Sequence, residues 1–291
     1  MFKTTNLTAG EIIDLSNEVT LVAPTDCPLT TLLMRNGVEG ANSKIPTWRE
    51  KFLDNTNDVA VEEGSETTVF QNSTRAELNN VMMIHKKATA VSGTVQAINI
   101  DGVGNEFMSE IQDRMTELKV NMEKDAINST YDDGSVSGIR RQKGLIEWVP
   151  AGNIVSGGSN VTPLNFKDTI KRLWENGLGT NEFYAFVNAQ MKEDIDSIYE
   201  SKVYYTPQNS QYGFVVNKVI TNYGTVNVIL NRHMPVDKML VFDAAYVKMA
   251  FLRKPFFEVL AKTGDNIKGH VISESTIKVY SPKALAMLDL S

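Results

Sequence analysis

The clearest pattern of apolar positions lies in residues 103–130, where hydrophobic side chains recur at spacings of three and four. The stripe consists of Phe107, Ile111, Met115, Leu118, Met122 and Ala126. This spacing is typical of an amphipathic α-helix with one apolar face. At 1.5 Å per residue the helix would be roughly 40 Å long. We expect its stripe to pack on a β-sheet formed by the closing part of the chain, around residues 271–279.

Two segments before this helix have the β-branched and alternating composition of strands. They are Ser43–Phe52 and Val81–Val95, and together they predict a long β-hairpin over residues 43–92. A polar stretch between them, Val61–Thr68, carries three acidic residues, Glu62, Glu63 and Glu66. Loops of this length are uncommon inside a compact domain. The hairpin is therefore expected to stand away from its own domain and to find partners outside it.

The rest of the chain mixes the two kinds of pattern. Thr162-Pro163 begins a second predicted helix, because proline is tolerated in the first helical turn. Residues 183–187 are expected to form a strand, and strands dominate from residue 212 onward, with a turn at Tyr223-Gly224. Residues 1–42 predict an extended arm with one or two short helical turns. The sequence thus indicates an α+β fold.

Charge and cysteine content narrow the functional classes. Acidic residues outnumber basic ones by 35 to 29, which gives a net charge of -6. Proteins that hold DNA through its phosphates usually carry a basic face, so this balance argues against such a role. Cys27 is the only cysteine, which excludes an intrachain disulfide and fits a reducing cytoplasm. No stretch approaches the ~18–20 apolar residues of a membrane helix, so we expect no membrane partner.

No pattern of catalytic or ligand-binding residues stands out. The three histidines, His85, His233 and His270, lie far apart in sequence, whereas metal ligands usually occur at short spacings. Cys27 has no nucleophile motif around it. The three glutamates lie in a polar loop, although catalytic acids need a rigid and partly buried frame. We therefore predict no catalytic, cofactor-binding or metal-binding residue.

A series of different short motifs extends in order along nearly the whole chain. In the front half they are Ala23-Pro24-Thr25, Pro28-Leu29, Trp48, Glu63-Gly64, Val91-Ser92-Gly93-Thr94, Glu117-Leu118-Lys119 and Arg140-Arg141. In the back half they are Asn231-Arg232, Met234-Pro235, Leu252-Arg253, Leu260-Ala261-Lys262, Gly264-Asp265 and Glu274. With the order arm, hairpin, long helix, mixed part and closing strands, the chain resembles the major capsid proteins of tailed bacteriophages, which have the Hong Kong 97-type fold.

The resemblance implies a division of parts and a set of partners. The parts would be an N-terminal arm (1–42), an extended loop (43–92), a peripheral domain with the spine helix (93–148), an axial domain (149–235), and return strands of the peripheral domain with the C-terminus (236–291). Copies of the chain would form the pentamers and hexamers of an icosahedral shell, assembled in the bacterial host cytoplasm. The shell would enclose double-stranded DNA without binding it specifically. Scaffolding, portal and decoration proteins would be further partners, and no cofactor or enzymatic activity is implied.

Two charged clusters are the candidate contacts between subunits. One is the acidic loop with Glu62, Glu63 and Glu66; the other is the basic cluster Arg140, Arg141 and Lys143. Arginine pairs with carboxylates through its planar fork, so the basic cluster is expected to contact neighbouring subunits or the chain's own acids. A DNA-facing patch is the alternative for it.

Two other functional classes stay open. An encapsulin-like compartment would have the same fold with an enzyme cargo, and an α/β hydrolytic enzyme would need an active site that the residues do not suggest.

Overall fold

The computed structural model describes residues 26–53, 60–68, 70, 72–97, 106–177, 182–200, 217–262 and 264–291. Its helices are α1 (Pro28–Arg35), α2 (Gly93–Ala97), α3 (Glu106–Asn128), α4 (Leu145–Trp148), α5 (Pro163–Glu175) and α6 (Ala189–Glu200). Its strands are β1 (Glu39–Gly40), β2 (Thr47–Phe52), β3 (Thr74–Asn79), β4 (Met83–Ser92), β5 (Ile154–Ser156), β6 (Glu182–Val187), β7 (Lys218–Thr221), β8 (Gly224–Leu230), β9 (Lys238–Phe242), β10 (Val247–Leu260), β11 (Asn266–Val279) and β12 (Leu285–Asp289).

Within this described part, the strands form three sheets. A four-stranded sheet has the order β1-β10-β11-β4, a six-stranded sheet has the order β5-β12-β9-β6-β8-β7, and β2 pairs with β3 alone. β1 runs parallel to β10, β5 to β12, and β6 to β8, while the other pairs are antiparallel. Helices and mixed sheets alternate along the chain, so the α+β prediction is confirmed.

The predicted long helix is α3, 23 residues from Glu106 to Asn128. Its stripe is buried at Phe107, Ile111, Leu118 and Met122, and Met115 is partly buried against the same core. That core includes residues 271, 277 and 279 of β11. Phe107 also contacts Phe257 of β10 edge to face, with ring centroids 5.8 Å apart. The prediction that the stripe packs on the closing strands is confirmed, and β4 completes the surface under the helix.

The predicted hairpin has a different second strand. β2 pairs with β3, from Thr47↔Asn79 to Phe52↔Thr74, whereas β4 pairs with β11. The assignment of Val81–Val95 to the hairpin is therefore wrong. The apolar positions that identified this segment as a strand are used within the main body of the subunit, because Val81, Met82 and Met83 are buried and Val91 belongs to the core of α3.

The closing strands are also distributed differently from the prediction. Of the strands within 236–291, β10 and β11 lie in the four-stranded sheet, but β9 and β12 are interior strands of the six-stranded sheet. Both are continuous apolar runs that are buried on the two faces, as expected for covered central strands. Their side chains alternate between two cores: Leu240 and Phe242 face the core of α3, while Met239 and Val241 face the core under α5 and α6.

Local signals at α5 and at the β7–β8 turn behave as predicted. The Thr162 hydroxyl accepts a hydrogen bond from the Asn165 amide (3.2 Å), and the Asn165 side chain accepts one from the Thr162 amide (2.7 Å). This reciprocal cap, with Pro163 in the first turn, fixes where the helix begins. Gly224 has a φ of 143°, so the tight turn between β7 and β8 needs a residue without a Cβ.

We expect Leu118→Ala to destabilise the subunit because Leu118 is 1% exposed at the centre of the α3 stripe. Truncating a fully buried leucine costs about 2–5 kcal/mol where the site cannot collapse. Equilibrium denaturation of the unassembled subunit measures this free energy. Leu164→Ala is the matched control, since Leu164 of α5 is 69% exposed. Equal effects of the two substitutions would contradict the assignment of the stripe to the core.

Candidate subunit interface

The acidic loop forms the tip of the β2–β3 hairpin. All of residues 60–68 are exposed, including Glu62, Glu63 and Glu66. A turn closes there, with the Ser65 amide 3.1 Å from the Glu62 carbonyl oxygen and Gly64 in the left-handed region at φ 82°. The large apolar side chains of Val61 and Phe70 are more than 80% exposed beside the acids. The tip thus combines negative charge with exposed apolar side chains that contact with another surface would bury.

The base of the hairpin, in contrast, is fixed to its own chain. The Trp48 indole N–H donates to the Val279 carbonyl oxygen (2.7 Å), and the Trp48 ring lies 6.0 Å from that of Trp148. The buried side chain of Asn80 donates to the Ile277 carbonyl (2.8 Å) and accepts from the amide of Lys143 (2.8 Å). A fully bonded buried amide of this kind holds its segments in one geometry.

Contacts continue along the paired strands. The Ser281 hydroxyl donates to Glu50 (2.5 Å), and the Lys283 ammonium lies 4.8 Å from the centre of the Phe52 ring. The expectation that the whole hairpin stands away from its own domain is therefore wrong for β2, which rests on residues 279–283. It remains a prediction for the exposed tip, as does the contact of the tip with a neighbour.

The three members of the basic cluster have different environments. Arg140 donates to Glu274 Oε1 (2.7 Å), while Arg253 contacts Glu274 Oε2 (3.1 Å). Glu274 is buried in β11, so two guanidinium groups compensate one buried carboxylate. The Lys143 ammonium lies 4.3 Å from the centre of the Trp148 ring. Arg140 and Lys143 therefore make contacts within their own chain. Of the two partners expected for the cluster, neighbouring subunits or the chain's own acids, Arg140 has the second.

Arg141 alone of the cluster is exposed, and it lines an open cleft. Its backbone bonds to Asp132 in both directions (2.8 and 3.0 Å), which holds the segment in place. The cleft has a volume of about 660 Å³, and its charged lining consists of Lys124, Asp125, Arg141, Arg232 and His233. Three chain segments meet here: the end of α3 with the residues after it, the segment of Arg141, and the loop after β8. Sequence reasoning missed Lys124 and Arg232, although the Asn231-Arg232 motif was a signal for the second.

The edge strand β1 is held to the four-stranded sheet by an ionic group. Glu39 accepts hydrogen bonds from Lys278 (2.6 Å) and from the Tyr280 hydroxyl, and Lys248 lies 3.7 Å away. Burial opposes ionisation of Glu39, but the bonds from Lys278 and Tyr280 outweigh it and lower the pKa of Glu39. Burial, with the adjacent carboxylate, raises the pKa of Tyr280 to about 12.

Each histidine has a partner of its own. His85 lies 3.0 Å from Asp125, His270 lies 3.5 Å from Glu258, and His233 lies 3.2 Å from the Asp26 carbonyl oxygen. Among the described residues no three metal-binding side chains cluster. Burial, followed by the nearby charge of Glu123, raises the pKa of the Cys27 thiol to about 11, which favours the protonated thiol over the nucleophilic thiolate. No helix in the described ranges is long and apolar enough to cross a membrane.

The architecture defines a class of protein. A spine helix lies across a four-stranded sheet, a six-stranded sheet with its helices packs against the same core, and a hairpin with an exposed tip extends from the first. This is the Hong Kong 97-type fold of shell-forming proteins. The chain belongs to the SU10 major capsid protein family, whose model matches residues 2–291. It is therefore a structural, shell-forming protein of a virion capsid.

Individual relatives agree with this assignment. The major capsid protein of Escherichia phage Phieco32 is 23% identical over an alignment 336 positions long, which covers 96% of this chain and 94% of the relative. The capsid structure of cyanophage A-1(L) has a TM-score of 0.74 at 10% identity and covers 99% of this chain and 98% of its own. The holo-SrpI encapsulin complex from Synechococcus elongatus PCC 7942 has a TM-score of 0.58 at 12% identity, with coverage of 94% and 92%.

We predict opposite outcomes for two adjacent arginines. Arg140→Ala removes one of two partners of buried Glu274 and is expected to cost about 1.5–3 kcal/mol, the range for hydrogen bonds to charged groups. Arg141→Ala removes an exposed side chain and is expected to change stability by less than ~0.5 kcal/mol. Urea denaturation of unassembled subunits measures both. A loss of stability in Arg141→Ala equal to that in Arg140→Ala would contradict the distinction.

Proposed function

We propose that the chain builds an icosahedral shell of pentamers and hexamers around double-stranded DNA, in the cytoplasm of a bacterial host. The observation that carries this proposal is the hairpin, whose base is fixed by Trp48 and Asn80 while the tip at 60–68 is exposed throughout. An exposed tip that combines negative charge with apolar side chains, on a hairpin with a fixed base, suits a contact with a neighbour. Such a contact joins two different patches, and repeated head-to-tail contacts of this kind close into rings.

Each part of the subunit has a place in this proposal. The arm comprises residues 1–42, of which only the end with α1 and β1 is described. The extended loop corresponds to the β2–β3 hairpin, the peripheral domain to α3 with the four-stranded sheet, and the axial domain to the six-stranded sheet with α5 and α6. The axial domain would meet the fivefold and sixfold axes. Scaffolding, portal and decoration proteins are the further partners that we propose.

We assign the subunit no catalytic duty. This part of the proposal is supported by the capsid family and by the engagement of buried charged groups in structural contacts. Glu274 pairs with two arginines, and Glu123 accepts bonds from α1 and from Asn231.

An encapsulin-like compartment is the second candidate, because the fold is also similar to that of an encapsulin subunit. Negative-stain electron microscopy of the purified full-length product tests both. We expect large hollow shells, alone or with a coexpressed scaffold. Small shells with a protein cargo would support the compartment, and discrete small particles under every condition would contradict the shell-forming proposal.

We further predict that isolated subunits bind duplex DNA weakly. Acids outnumber bases by 35 to 29, and Arg140 and Lys143 are engaged within the chain. A wall that repels DNA lets it slide during packaging, whereas many phosphate contacts would hold it and depend steeply on salt. Filter binding across a salt series measures this. Tight retention near 0.15 M salt (about the physiological value) that is lost in Arg141→Ala would show that the cleft faces DNA.

A further inference from the structure

We propose that the basic cleft of one subunit is the surface that receives the acidic hairpin tip of a second copy. The cleft is defined by Lys124, Arg141 and Arg232, and the tip by residues 60–68 with its three glutamates. The inference rests on the proposed shell function and adds to it by naming the two surfaces and the kind of contact that joins them.

The excess positive charge of the cleft favours an anionic partner. Lys124, Arg141 and Arg232 face one lining carboxylate, Asp125, which lies 3.0 Å from His85. Arg232 meets Asp26 at 3.5 Å, but both side chains are about 70% exposed, and exposed pairs of this kind contribute little and exchange readily. The C-terminal end of α3 adds roughly half a negative charge. The cleft therefore keeps an excess of positive charge.

The tip has the matching character. Three of the five residues from 62 to 66 are glutamates, and all are exposed. Within the described residues, none of the three forms an ion pair. The hairpin base is already ordered by Trp48 and Asn80, which reduces the conformational entropy lost when the tip docks. Complementary charges also steer association before close contact is made.

The occupant must come from another copy because of where the hairpin starts. Asn80, at its base, bonds to Lys143, which is two residues from Arg141. From that base the strands β2 and β3 run for six residue pairs, a length of about 20 Å at 3.3 Å per residue. β2 rests on residues 279–283 along this course. The hairpin thus begins beside the cleft of its own chain and carries its tip away from it.

Charge reversal tests the pairing. We expect Lys124→Glu/Arg141→Glu and Glu62→Lys/Glu63→Lys/Glu66→Lys each to reduce shell yield, measured by sedimentation, by about tenfold or more, since close charge pairs at interfaces couple by at least that factor. The chain carrying all five substitutions is expected to recover most of the yield. Lys167→Glu/Lys171→Glu on α5 is the matched control with the same change in charge. Thermal unfolding of each variant shows that the subunits are folded.

Cysteine pairs test the contact directly. In a Cys27→Ala background, subunits with Glu63→Cys are mixed with subunits with Arg141→Cys, assembled and oxidised. We expect a covalent dimer on a non-reducing gel from the mixture and not from either variant alone. Lys167→Cys replaces Arg141→Cys in the control mixture and is expected to give no dimer.

The outcomes separate this inference from the shell proposal. If the unmodified chain forms no shells under any condition, the proposed function is overturned. If it forms shells but both charge-reversed variants assemble normally, the docking surface is overturned while the function stands. The same holds if the variant with all five substitutions does not recover its shell yield. Shells in which Glu63→Cys and Arg141→Cys give no dimer also overturn it.

Discussion

The subunit depends on one buried carboxylate, Glu123 of the spine helix α3. Its side chain accepts hydrogen bonds from the amides of Leu29 (2.9 Å) and Thr30 (2.6 Å), from the Thr30 hydroxyl (2.5 Å) and from the Asn231 amide group (2.7 Å). An ionised carboxylate is costly to bury unless its oxygens are bonded. Here the free amides at the start of α1 and its positive dipole end meet that need. A single side chain thereby fixes α1, α3 and the loop after β8 to one another.

The same junction places the charges of the cleft. Lys124 follows Glu123 in α3, and Arg232 and His233 follow Asn231, so the bonds that satisfy Glu123 also determine where these side chains lie. The Asn128 side chain adds a bond to the His233 carbonyl oxygen (2.9 Å), which holds the loop against the end of the helix. The arrangement of the exposed cleft therefore depends on a buried polar contact. Loss of that contact would displace both Lys124 and Arg232.

Sequence patterns were informative where local physics decides the outcome. The stripe of α3, the start of α5 at Thr162-Pro163 and the turn at Gly224 depend on neighbouring residues, and each was predicted. Strand pairing depends on which segments far apart in sequence are buried together, which explains why Val81–Val95 was paired with the wrong strand. Continuous apolar runs such as β9 and β12 do not reveal which sheet they join. Arg140 and Arg141 look alike in sequence, but one turns to buried Glu274 and the other to solvent.

The cleft was beyond sequence reasoning for a related reason: Lys124, Arg141 and Arg232 meet only because the fold brings three segments together. Because β9 and β12 send alternate side chains into two cores, these two strands connect the cores, and the layers of the subunit cannot move independently without breaking them. A curved shell nevertheless needs the same patches to meet at somewhat different angles. Close packing tolerates little displacement, whereas attraction between exposed charges falls gradually with distance. A rigid subunit is therefore best joined to its neighbours by charged, exposed extensions such as the hairpin tip.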